Sequence, residues 1–366
     1  MASEKFQLAG KNILFISPEG WGDNLLSKHH FALTLAKNNK VWFVAPHQTE
    51  TQSPHPNLSL ISYEPVRGIN RLPFVLARFA TRFEVYQLLK VIRHKPDIVW
   101  SFDPHHLQFL RLFHAQVTIY HPVDNHYTNL EHSVVNESDI IFSNAEVTLS
   151  RISHKNKYRI GHGVASYFFE PPAAIELPGQ FSTKVGYVGN LNNRLFDFEL
   201  FAKLVKTHAE IGFYMIGPRG SSNLASTNKP LFDWSEIDKL PNFFWLGQQP
   251  SKKIPSYLAL MDILLILYKS DESGFTVNSH KTLEYLSSGK LIITPANQEN
   301  DEIAHLILQA RHLDEIPQVF NAALANLPSY MTKDICIARR EYAFSSRYEN
   351  RIQSVEKMLD KTITTR

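Results

Sequence analysis

The sequence predicts an α/β protein made of two Rossmann-like units with parallel sheets. Three observations carry this expectation. Apolar runs of strand length alternate with helical patterns, the order that a parallel sheet requires. In the second half, three such runs lead into glycine and a fourth into a polar loop and a capped helix. Between the halves, EPPAAIELPGQFS (170–182) breaks the periodicity with Pro171, Pro172, Pro178 and Gly179. The 366 residues, 43% hydrophobic and 20% charged, suffice for two core-bearing domains. The expected division is a first domain over 1–170, a linker over 171–182, a second domain over 183–340 and a C-terminal helix over 341–366 that packs back on the first.

In the first half the strands are NILFIS (12–17), VWFVA (41–45), DIVWSF (97–102), VTIYH (117–121) and DIIFS (139–143), with helices over 25–38 and about 72–94. In the second half VGYV (185–188) leads through Gly189-Asn190 to a helix starting near Arg194, whose apolar spacing is Leu195, Phe198, Phe201, Ala202, Val205. YMIGPRG (214–220), NFFWLG (242–247) and DILLILY (262–268) supply further strands, two of them entering Gly217 and Gly247. Asn278 and Ser279 are N-cap types for a helix with Leu283, Leu286 and Ser287 on its inner face, and Gly289 stops it before the strand LIIT (291–294).

That helix carries the densest chemistry. Lys281 and Glu284 are three residues apart and share a face in the first turns. A helix N-terminus offers free N–H groups and a partial positive charge to a phosphate. Lys281 adds a full charge, and a carboxylate one turn on can accept from both hydroxyls of a ribose. An ordinary solvated Lys/Glu pair has the same spacing, so the placement decides: the helix follows a buried strand, at the carboxyl edge where open α/β sheets bind ligands. Gly189 lets backbone approach a ligand, and Arg194 suits a two-pronged contact with a diphosphate.

Composition excludes several classes. A net charge of +3 argues against a general nucleic-acid binder. The lone Cys336 leaves no internal disulfide and no Cys-cluster zinc site, and points to a reducing compartment. The polar start MASEKFQLAGKN lacks a signal-peptide pattern, and no run approaches the roughly 20 apolar residues of a membrane span. A cytoplasmic protein is expected. The 17 histidines include adjacent pairs at 29–30 and 105–106 but no H-x-x-x-H, and no D-x-D stands ready for a metal on a diphosphate. His30, His121 and His162 are read as packed or capping residues.

Residues 67–95 are unusual. Arg67, Arg71, Arg78, Arg82, Lys90, Arg93 and Lys95 stand against Glu84 alone, interleaved with Leu72, Phe74, Val75, Leu76, Phe79 and Phe83. This suits a basic amphipathic helix resting on an anionic membrane surface or holding an anionic, lipid-linked acceptor. A core helix with solvated arginines is the other reading.

Taken in order, YVGN, YMIGP, NFFWLG, DILLILY and HKTLEYLSSGK resemble the C-terminal donor domain of GT-B glycosyltransferases similar to family 4. ILFISPEGWGDNLLSKHH (13–30), YHPVDN (120–125), ESDIIFSNAEVTL (137–149) and IGHGVASYFFE (160–170) follow the family's order in the first half. The resemblance spans about 11–300. It implies two domains facing a cleft, with a nucleotide-sugar donor, UDP-linked in most similar enzymes, held by the second. It places Gly20, Trp21, Gly22, Gly189, Asn190, Gly217, Leu246, Gly247, Gln248, Ser279, His280, Lys281, Thr282 and Glu284 at the donor, with the backbone of 246–248 at the base. Gly20-Trp21-Gly22 is then a flexible loop over the diphosphate, though a plain βα turn has the same sequence. Asp124 orients or deprotonates an acceptor hydroxyl, or serves only as a turn-forming side chain.

The chain departs from the family's pattern at three places. Thr276 stands eight residues before Glu284, where many members have a second glutamate; Leu195 follows Arg194 in place of a lysine; and Leu291 replaces a proline. Leaving-group charge then falls on Arg194, Lys281 and backbone N–H groups, with no metal and no cofactor beyond the donor. The implied activity is sugar transfer, with retained configuration, to a glycan or lipid-linked acceptor of a bacterial envelope polysaccharide, at the inner face of the plasma membrane. A sugar-nucleotide epimerase of the same architecture and a non-catalytic nucleotide-sugar-binding protein on the membrane remain as alternatives. A nicotinamide oxidoreductase would need G-x-G-x-x-G after a strand, which is missing.

Overall fold

A computed structural model describes residues 6–22, 25–48, 52–123, 131–220, 231–269 and 280–364. Two compact units form, one of Met1–Gly163 with Tyr348–Arg366, the other of Val164–Arg347.

In the first unit, among the described residues, seven parallel strands take the order β3-β2-β1-β4-β5-β6-β7: β1 (Asn12–Ile16), β2 (Lys40–Pro46), β3 (Leu58–Tyr63), β4 (Ile98–Ser101), β5 (Val117–Tyr120), β6 (Ile140–Ser143) and β7 (Lys157–Arg159). Strand order reverses between β1 and β4, the switch point of a doubly wound sheet. Helices α1 (Ser27–Ala36), α2 (Phe74–Ile92), α3 (Glu131–Glu137) and α4 (Glu146–Arg151) lie between the strands. The central strands are buried on both faces, so they read as continuous apolar runs. Phe15, Trp100 and Phe31 fill one face of the sheet, and Leu14, Val99 and Tyr120 the other.

In the second unit, among the described residues, six parallel strands take the order β10-β9-β8-β11-β12-β13, again reversing beside its first strand. These are β8 (Lys184–Val188), β9 (Gly212–Ile216), β10 (Phe243–Trp245), β11 (Ile263–Leu265), β12 (Leu291–Pro295) and β13 (Leu308–Ala310). Around them lie α5 (Phe198–Thr207), α6 (Ile254–Ala259), α7 (Lys281–Ser288), α8 (Ile316–Ala325), α9 (Leu327–Tyr330) and α10 (Lys333–Ser345); the last helix, α11 (Tyr348–Thr364), belongs to the first unit. Buried Arg339 of α10 donates to the carbonyls of Gly289, Leu306 and Tyr330, which ties α10 to the left-handed C-cap of α7 (Gly289, φ 76°).

The sequence expectation of two parallel α/β units holds, with differences in detail. The proline-rich stretch 171–182 is part of the second unit, because the Ala173 N–H donates to Ser256 Oγ (2.8 Å) and the Pro178 carbonyl accepts from Tyr214 (2.9 Å). Only residues from 348 on join the first unit, where Tyr348, Val355 and Leu359 enter its core and Asp360 and Glu356 accept from the N–H groups of Phe6 and Leu8. Strands β3, β7 and β13 go unread in the sequence, and all three lie at sheet edges, where half-exposed residues break the apolar run.

Candidate functional site

The carboxyl edge of the second sheet is built from backbone. β8 ends at Gly189, whose N–H donates to the Ile216 carbonyl (2.8 Å), and the Gly217 N–H donates to the Gly247 carbonyl (2.8 Å). Three strand ends are thus stitched side by side. Gly217 has φ 142°, and a Cβ there would lie 1.8 Å from the Gly189 carbonyl oxygen, so no side chain fits. Gly247, at φ 68°, turns the chain sharply after β10 with open space around it.

Lys281 opens α7 and reaches this edge. Its Cε stands 2.5 Å from where a Gly189 Cβ would be, and its ammonium donates to the Tyr268 hydroxyl. Tyr187 donates to the same hydroxyl (3.3 Å), and Tyr285 of α7 accepts from the Val188 N–H (2.7 Å). Three tyrosines from β8, from the end of the DILLILY run and from α7 therefore fix the helix start and the ammonium beside the end of β8. Thr282, Leu283 and Leu286 are buried, and His280 Nε2 lies 3.8 Å from Glu284 Oε1. Burial pushes the Glu284 carboxyl up to about 7, the Lys281 charge pulling the other way.

The turn after β8 is held by its own asparagines. Asn190 and Asn193 accept, through Oδ1, from the N–H groups of Asn192 and Leu195, both at 2.9 Å. Phe196 then pairs with Tyr268, and Asp197 caps α5 by accepting from Leu200 (3.1 Å). The helix accordingly begins at Phe198, four residues beyond Arg194. Arg194 is exposed on the turn, with no hydrogen bond or ion pair to another described residue. Leu246 and Gln248 follow β10, Gln248 exposed and Leu246 half-buried. Ser279 lies outside the described residues.

Arg219 is a feature that the sequence does not reveal. It lies after β9 between the rings of Trp234 (4.2 Å) and Trp245 (4.5 Å) and donates to Asp238 (2.7 Å). Burial lowers its basicity while Asp238 supports it.

In the first unit, Trp21 departs from its expected role. It is 7% exposed and packs edge-on against His29 (4.8 Å) and Phe43 (5.0 Å), with its backbone N–H donating to Gln48 Oε1 (2.6 Å). Gly20 abuts the same Gln48 side chain, and half-buried Gly22 follows Trp21. The Trp21 ring is thus core rather than a loop surface over a ligand. Asp124 lies outside the described residues. His121 is enclosed by Phe102 and Trp100, and burial with His162 nearby lowers it to about 3. Among the described residues no group of three His, Cys, Asp or Glu side chains is placed to hold a metal, and no helix is long and apolar enough to cross a membrane.

Comparison with known proteins fits this geometry. No family model matches the chain. A putative teichuronic acid biosynthesis glycosyltransferase, TuaH of Bacillus subtilis, is 24% identical over 165 residues, 44% of this chain and 39% of that protein, so the matched chain spans about two-fifths of its relative. The solved sucrose-phosphate synthase of Thermosynechococcus elongatus superposes with TM-score 0.73 at 13% identity, covering 97% of this chain and 100% of that one. Anabaena HepE, solved in complex with UDP-glucose, gives 0.67 at 11% identity over 96% and 100%. The chain has the GT-B fold of these structures.

Proposed function

We propose that this protein is a glycosyltransferase that moves a sugar from a UDP-linked donor to a hydroxyl of a glycan or lipid-linked acceptor in bacterial envelope polysaccharide synthesis, with retained configuration. The observation that carries this is the Lys281 ammonium held beside Gly189 at the switch-point edge of the second sheet. A diphosphate there meets a fixed cation, the start of α7 and, on the adjoining turn, the exposed Arg194. HepE with UDP-glucose on the same fold and TuaH with its teichuronic acid assignment support the donor class and the pathway class.

The chemistry follows from charge. As the anomeric C–O bond breaks, negative charge grows on the departing diphosphate and the sugar becomes oxocarbenium-like. Lys281 and Arg194, with the start of α7, stabilise the leaving group, without a metal. Glu284, one turn along α7, accepts from the ribose hydroxyls, and 246–248 lie beside the base. In a retaining transfer the departing phosphate takes the acceptor's proton, and Asp124 orients the acceptor.

A calorimetric panel of UDP, GDP, ADP and dTDP tests the reading. UDP should bind best, and Arg194→Glu with Lys281→Glu should weaken it by about a hundredfold or more, since charge-assisted contacts contribute roughly 1.5–3 kcal/mol each. Unchanged UDP affinity in the double variant removes the site.

A further inference from the structure

The outer face of α2 is apolar. Leu72 is 41% exposed, Phe74 61%, Val75 75%, Leu76 54%, Phe79 75%, Phe83 58% and Tyr86 54%. The helix already spends its inner face on the core, where Thr81, Val85, Leu88 and Ile92 are buried. At 100° per residue, Val75, Phe79, Arg82, Phe83, Tyr86 and Lys90 fall within one arc of about 100° on the opposite side. An exposed apolar stripe of this size, rimmed by charge, marks an interaction surface.

The charges identify the partner. Arg67, Arg71, Arg82, Lys90, Arg93 and Lys95 are all exposed. The one acid of the segment, Glu84, is turned inward, accepting from the Val66 N–H (2.6 Å), while Arg78 is paired with Glu137 (2.6 Å). The Lys90 ammonium lies 4.4 Å from the centre of the Tyr86 ring, a cation beside an aromatic at the edge of the stripe. From 67 to 95 the outward surface thus presents cations and rings and no exposed carboxylate. Two copies meeting face to face across a two-fold axis would bring these cations onto one another. An anionic bilayer satisfies both parts, since its phosphates pair with the arginines and its acyl boundary takes the rings. Beside the N-terminal end of the stripe a depression of about 190 Å³, with Ile69, Leu72, Phe74, Ala77, Leu107 and Phe109 on its apolar side, gives an acyl chain room to enter.

We infer that α2 and the 67–73 segment before it seat this protein on an anionic lipid surface, with Val75, Phe79 and Phe83 entering the acyl boundary and Arg71, Arg82 and Lys90 on the phosphates. This binding requires neither donor nor acceptor, so it stands or falls apart from the transferase reading.

Co-sedimentation of the full chain with phosphatidylcholine vesicles, with and without phosphatidylglycerol, tests it. The parent should pellet with the anionic vesicles and stay in solution with the neutral ones. Arg82→Glu with Lys90→Glu, and separately Phe79→Ser with Phe83→Ser, should each lower the partition coefficient at least about tenfold, with unchanged UDP affinity and melting temperature as the folding control. Parent-like pelleting by both variants, or no pelleting of the parent, overturns the inference. So does a concentration-dependent dimer in sedimentation velocity that the serine variant abolishes, because the stripe is then an interface between copies.

Discussion

The carboxyl edges of the two sheets share a strand order and differ in what fills them. At the first, aromatic rings and imidazoles close the space: Trp21 and His29 pack on Phe43, and His121 lies among Trp100 and Phe102. Burial holds His29 and His121 down near 3 and His30 near 4, so all three are neutral at physiological pH. At the second edge glycine backbones leave room, one ammonium is fixed, and burial raises a carboxyl instead. One topology therefore gives a packed edge or an open edge with a fixed ammonium, depending on whether rings or glycines follow the strands.

The largest break in this comparison comes from closing the open edge. Gly217→Val puts a Cβ on the Gly189 carbonyl oxygen and should destabilise the second unit by roughly 3 kcal/mol or more and abolish UDP binding. Gly10→Ala, at a positive φ with nothing within 4 Å, should cost only about 1 kcal/mol. Urea titration and calorimetry on the two variants separate crowding from backbone conformation.

Acid should act mainly on the packed edge. Between the ordinary histidine value of 6.5 and the folded values near 3 to 4, the unfolded chain binds protons that the folded chain refuses, so stability falls as pH drops through that window. His121→Phe keeps a ring in the cage and removes one titration. The variant's stability loss from pH 6.5 to 4 should be smaller than the parent's by about 3 kcal/mol, measured by urea unfolding at each pH.

Glu284 has the opposite sign to the histidines. The folded chain keeps its proton from the ordinary 4.5 up to about 7, so stability is lost as pH rises through that range and the full penalty applies above 7. Glu284→Gln should gain about 1–3 kcal/mol at pH 8 and little at pH 4.5, while weakening UDP through the lost ribose acceptor. A variant no more stable than the parent at pH 8 would place Glu284 in ordinary solvent.

Much of this was legible in the sequence because the relevant signals are local. Central strands read as apolar runs, and Gly289 ends α7 where a helix stop was expected. The spacing of Lys281 and Glu284 shows them sharing a helix face without any tertiary information. The start of α5 was misread because the side chains of Asn190 and Asn193 and the Phe196–Tyr268 pairing outcompete helix propensity over 190–197. Trp21 lies on a loop, as its flanking glycines indicate, but its ring is buried because its partners Phe43 and His29 lie on two other elements.

What the sequence determined by itself is the two parallel α/β units, the helix that carries Lys281 and the basic, aromatic segment 67–95, since periodicity and charge are written in consecutive residues. The tertiary structure alone decided which tyrosines hold Lys281, that Gly217 must lack a side chain, that Arg219 sits between two tryptophans and that the rings of α2 point outward. Each of these depends on groups far apart in the chain meeting at one sheet edge or on one helix face, and only packing brings them there.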